Sequence, residues 1–152
     1  MKKKILILSI FCMLIFTACG KDTEKIVAFQ NKLFSCVSKI ESLHNELNNL
    51  DANASDAASV ALDKLSELDE AFKVLAEIEF ADEEFSYLAA LADEGAEYMS
   101  QAYELFDETY NQDTFDKQNA DLAYKYLERA TTRVRVIVSM LHGEVPDEVT
   151  VH

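Results

Sequence analysis

Tryptophan is absent from this chain of 152 residues, and proline and glycine are nearly so, with one and three occurrences. Few helix breakers leave few places for the chain to turn, so it reads as almost entirely helical. Basic residues are also scarce, 14 Lys+Arg against 28 Asp+Glu for a formal charge of −14. That excludes the basic footprint of a nucleic-acid binder and argues against charge-driven adhesion to anionic lipid. Cysteine is limited to Cys12, Cys19 and Cys36, too few for a disulfide framework.

The N-terminal segment differs from the rest. Lys2, Lys3 and Lys4 precede an apolar run, Ile5–Phe16, interrupted only by Ser9. The run is shorter than the roughly 20 residues a membrane span requires. A basic stretch, a short apolar stretch and a small-residue junction form a secretory signal. The junction is Phe16-Thr17-Ala18-Cys19-Gly20. It resembles the lipobox of bacterial lipoproteins, although the position three before the cysteine holds Phe16 where Leu is most frequent. The resemblance covers residues 1–22 and implies that Cys19 is diacylated and becomes the new N-terminus. It also implies a lipid anchor in the cell membrane, on its extracytoplasmic face. Two acyl chains give stable attachment where one is marginal.

Loss of residues 1–18 removes three lysines and no acid, so the mature chain is still more negative. Residues 19–22 are then the lipidated cysteine and a short tether, 23–143 a helical domain large enough for its own core, and 144–152 a C-terminal tail. Cys12 leaves with the signal, and Cys36 remains as a thiol on an apolar stripe.

That stripe is regular. Ile26, Phe29, Leu33, Cys36, Ile40, Leu43, Leu47 and Leu50 alternate spacings of three and four, the seam of a coiled coil or bundle. This predicts a first helix over Thr23–Leu50. Asp51–Ser55 then forms a turn, with Ser55 as N-cap and Asp56 complementing the dipole. A second helix over Asp56–Phe80 carries Ala58, Ala61, Leu65, Leu68, Phe72, Leu75 and Ile78. Asp82 is read as the cap of a third, which extends to Tyr110 and buries Phe85, Leu88, Leu91, Gly95, Met99, Ala102 and Phe106. The fourth carries Ala120, Ala123, Leu127, Ala130, Val134, Ile137 and Leu141, and ends at His142-Gly143 with Gly143 at C′. Four helices of about 25–29 residues with short loops predict an antiparallel up-down-up-down four-helix bundle. An extended pair of helical hairpins is the competing arrangement.

Chemical motifs are sparse. Glu41-x-x-His44 has the spacing found in di-iron bundles, but such sites need a second copy and further inward carboxylates; the surroundings of His142 and His152 do not supply it. Asp51-x-Asn53-x-Ser55 imitates the start of a calcium loop, yet the sixth and twelfth positions are Asp56 and Leu62 instead of Gly and Glu. No nucleophile–base pair, cofactor motif or metal-ligand set stands out, so the chain reads as no enzyme and as needing no cofactor.

Charge and aromatic distribution say more. Between Lys73 and Lys117 lie 13 acidic residues and no basic one. The fourth helix, by contrast, holds Lys117, Lys125, Arg129, Arg133 and Arg135, which can partly complement an acidic face. All six tyrosines fall in the second half. These features predict a binding module whose contact surface, formed around Glu94, Glu97, Glu104, Tyr103 and Tyr110, meets a basic envelope protein or peptide. A small-ligand or metal-ion carrier, using the bundle interior or the acidic face, is the alternative. Mid-helix Gly95 admits a close helix crossing, or else a hollow among Tyr98, Tyr124 and Leu127.

Overall fold

The computed structural model describes residues 23–79, 86–111 and 115–142. Cys19 and its flanking junction, Phe80–Phe85 with the expected Asp82 cap, and Gly143 with the tail lie outside these residues. Among the described residues the chain is a four-helix bundle: α1 Thr23–Asn48, α2 Ala57–Ala76, α3 Ser86–Asn111 and α4 Lys117–Leu141.

The seams form the core. Leu33, Cys36, Ile40 and Leu43 of α1 are buried against Leu65, Leu68, Phe72 and Leu75 of α2, and Leu88, Leu91, Met99 and Phe106 of α3 join Ala123, Ala130, Val134 and Ile137 of α4 in the same cluster. Burying a Leu or Phe side chain contributes roughly 1.5–3 kcal/mol. Successive helices pack directly on one another. Helices α1 and α4 approach less closely, and a groove of about 340 Å³ runs between Ile40 and His44 on one wall and Val134 and Val138 on the other.

Several boundaries differ from expectation. Ser55 is not the N-cap of α2; Asp56 occupies that position without a side-chain cap bond. The reason is the preceding turn, in which the Asp51 carboxylate accepts the Asn53 amide at 3.0 Å and Ala57 N–H closes onto the Ala54 carbonyl at 3.1 Å. The connection therefore spans residues 49–56, longer than expected. Helix α2 has 20 residues and ends at Ala76: Glu77 N–H still closes onto the Lys73 carbonyl with helical spacing, but the next amide, Ile78 N–H, tightens onto the Leu75 carbonyl. Ile78 is still buried, whereas Ala58, expected on the seam, is exposed in the first turn. Helix α4 starts where Asp116 accepts the amides of Gln118 and Asn119, an N-cap that offsets two orphan donors.

Candidate functional site

Gly95 sits at a close crossing. A Cβ placed there would lie 3.3 Å from Phe72 Cε1 and 3.4 Å from Arg133 Cβ. The missing side chain lets the stem of Arg133 pass between α3 and α4. Arg133 is 8% exposed, and its Nε–H donates to Glu94 Oε2 at 2.7 Å. Its guanidinium also lies 5.5 Å from the Tyr98 ring centroid. Arg129 lies over the same ring at 5.6 Å and over Tyr126 at 5.8 Å, while Tyr98 and Tyr126 stack at 6.1 Å. Cation–π attraction at such distances contributes about 0.5–2 kcal/mol.

A second polar clasp joins α2 to α3. Asp69 is 4% exposed; it accepts the Ser100 hydroxyl at 2.7 Å and the Lys73 ammonium at 2.7 Å. The hydrogen bond to Asp69 holds the Lys73 pKa above its usual value. Helix periodicity around Leu65, Leu68 and Phe72 gives no sign that a carboxylate is buried between them. Only the neighbouring helix reveals it.

The expected contact residues separate into two groups. Glu97 and Glu104 are exposed and share an outward stripe of α3 with Asp93 and Glu108, at spacings of four, seven and four that return to one helix face. Among the described residues none of these four makes an ion pair, while Glu97 accepts a hydrogen bond from Gln101 at 3.5 Å. Glu94 is drawn away to Arg133. Tyr103 and Tyr110 are half-buried and packed against the core. Tyr110 stacks on Phe106 at 6.1 Å, and burial, followed by Tyr124, raises its pKa.

Glu41 and His44 lie along one wall of the α1–α4 groove. Glu41 is exposed and His44 half-buried. Burial, and secondarily the positive Arg135 across the groove, pushes the His44 pKa down. No group of three or more His, Cys, Asp or Glu among the described residues could hold a metal ion. Cys36 is buried and its Sγ–H donates to the Ala71 carbonyl at 3.1 Å. Burial raises its pKa, opposed by Lys39 and Lys32, so it is a packed thiol, not an activated one.

At the end of the bundle near the α1–α2 turn, the core gives way to a cavity of about 320 Å³. Ala57, Ala58 and Ala61 form one side, and Phe106, Tyr110 and Tyr124 another. At Gly95 the close crossing holds and the alternative hollow does not: Phe72 and Arg133 pack against the glycine and Tyr98 belongs to the Arg129 cluster, while Tyr124 and Leu127 line this separate cavity at the bundle end.

Comparison of the chain with protein-family profiles, curated proteins and solved structures finds no match. Among the described residues no helix is long and apolar enough to cross a membrane.

Proposed function

We propose that the chain is a lipid-anchored binding protein of the cell envelope. Acylated Cys19 holds it to the extracytoplasmic face of the membrane, and the outer stripe of α3 contacts a basic protein or peptide. The observation that carries the docking half of this reading is how the nearby cations are used. Arg133 turns inward onto Glu94 and Lys73 closes on Asp69, so they leave Asp93, Glu97, Glu104 and Glu108 uncompensated. An exposed stripe of one sign steers a partner of the other sign and loses that effect as salt rises.

Charge reversal at Glu97 and Glu104 tests the docking surface. Glu94 is left intact, because changing it would unpair a buried cation. Crosslinking pull-down from cells should recover a basic partner with the wild type and lose it with Glu97→Lys/Glu104→Lys. Equal recovery by both proteins would contradict the proposal.

A further inference from the structure

The cavity at the α1–α2 end owes its existence to a mismatch along the seams. Helix α2 enters the bundle with Ala57, Ala58 and Ala61, where its later turns supply Leu65, Leu68 and Phe72. The opposing helices do not shrink to match. Phe106 is buried, Tyr124 meets it edge-on with centroids 5.0 Å apart and planes at 86°, and Tyr110 lies nearly parallel to it at an interplanar angle of 17°. Small side chains on one side and fixed aromatic rings on the other leave about 320 Å³ unfilled. Tyr124, 58% exposed, stands at the rim.

The polar groups lining the cavity are few. Asn48 and His44 are hydrogen-bonded at 3.4 Å. With Asn48 donating to Nδ1, the neutral ring carries its proton on Nε2. Tyr110 and Tyr124 both line the cavity, each in contact with the Phe106 ring. His44 and Tyr110 both remain neutral near pH 7, since burial lowers the one and raises the other. The lining therefore offers no counter-charge, and an ionised ligand would lose hydration without compensation. Aromatic walls favour another aromatic ring, stacked with an offset or edge-on. Size sets the remaining bound. A cavity of about 150 Å³ accommodates benzene, so one of about 320 Å³ suits a molecule of two fused rings.

We propose that this cavity is a binding site for an uncharged, flat, bicyclic aromatic compound bearing one hydroxyl or carbonyl oxygen. The ring lies between the alanine side and Phe106, and the oxygen accepts from His44. None of the acidic stripe lines the cavity, so this site and the proposed docking surface stand or fall separately.

2-Naphthol is the probe, because a chain without tryptophan leaves naphthol emission free of protein background. Titration into the purified full chain should saturate at one equivalent, with a Kd on the order of 0.1 mM for a ligand of this size. Ala58→Phe/Ala61→Leu, which fills the space, should weaken binding at least about tenfold while helical circular dichroism is retained. Tyr124→Ala, at an exposed rim position, should weaken it about threefold or more and decides the matter if the filled variant does not fold. 2-Naphthalenesulfonate, of like shape but charged, should bind at least about tenfold more weakly than 2-naphthol. Absence of saturable binding below about 2 mM, or equal binding by wild type and both variants, overturns the site. Equal affinity for the sulfonate overturns its preference for uncharged ligands.

Discussion

Arg133 of α4 donates its Nε–H to the Glu94 carboxylate of α3 at 2.7 Å, and both side chains are largely withdrawn from solvent, at 9% and 22% exposure. A pair this enclosed differs from the surface ion pairs elsewhere on the bundle, such as Lys117–Asp121, which contribute only about 0–1 kcal/mol. Removing one partner of a buried pair strands the other charge, whereas replacing both by apolar groups is often close to neutral.

Glu94→Ala should accordingly destabilise the bundle by roughly 3 kcal/mol, the lower end of the buried-pair range, because Glu94 keeps some solvent contact. Glu94→Leu/Arg133→Met should recover most of that loss. Urea denaturation of the wild type, Glu94→Leu, Arg133→Met and the double variant measures the coupling directly. Additive losses would show that the pair is not an energetic unit.

The crossing at Gly95 sets two effects against each other. Alanine is favoured over glycine in a helix interior by about 1 kcal/mol, but its Cβ would press on Phe72 and Arg133 at 3.3 and 3.4 Å. Phe72 is fully enclosed and has little room to yield. Gly95→Ala should therefore change stability by no more than about 1 kcal/mol. Gly95→Leu should lower it by about 3 kcal/mol, at the upper end of overpacking costs, and shift Arg133 away from Glu94. Thermal melts of the two variants check this. A stabilised Gly95→Leu protein would mean that the helices do not cross there.

His44 gives stability a dependence on mildly acidic pH. Its pKa in the fold is below the usual value of about 6.5 because of burial and Arg135. As pH falls below about 6.5, the unfolded chain binds a proton that the folded chain resists. Stability is thus fully present above that pH and declines as pH drops towards the depressed folded value. Comparison of wild type with His44→Gln by denaturant titration between pH 7.5 and 5, a range of about 2.5 units around that value, isolates the contribution. The wild type should lose more stability than the variant. Identical pH profiles would show that His44 senses neither its burial nor Arg135.

The sequence carries the positions of the four helices because each buried stripe repeats with helical period: Leu33, Ile40, Leu68, Phe72, Met99 and Val134 are all buried as spaced. The close approach at Gly95 is legible for the same reason, since a glycine on the seam is a place where a neighbour can come near. What periodicity does not carry is the identity of that neighbour. Asp69 and Arg133 fall beside apolar positions and read as surface charges. Their burial is tolerated because Lys73 neutralises Asp69 while Ser100 donates a hydrogen bond to it, and Glu94 neutralises Arg133. The acidic run likewise shows as a composition, while its division into an outward stripe and an inward Glu94 depends on where α4 lies. Residue type favours Ser55 as the cap, yet the Asp51 turn claims the local backbone first and leaves Asp56 at the helix boundary. The end cavity follows from Ala57, Ala58 and Ala61 only once the rings of Phe106 and Tyr124 are seen to face them.

A lipid-held envelope protein is the centre of the proposed function, and Cys19 is the residue on which it depends. The most direct measurement is the intact mass and membrane partition of the protein recovered from a bacterial host, for wild type and for Cys19→Ser. The account predicts a membrane-bound wild type that begins at Cys19 and carries the added mass of a diacylglyceryl group, and a variant without that mass that leaves the membrane fraction or keeps its leader uncleaved. A wild-type mass without lipid, or equal processing and retention of both proteins, would contradict it.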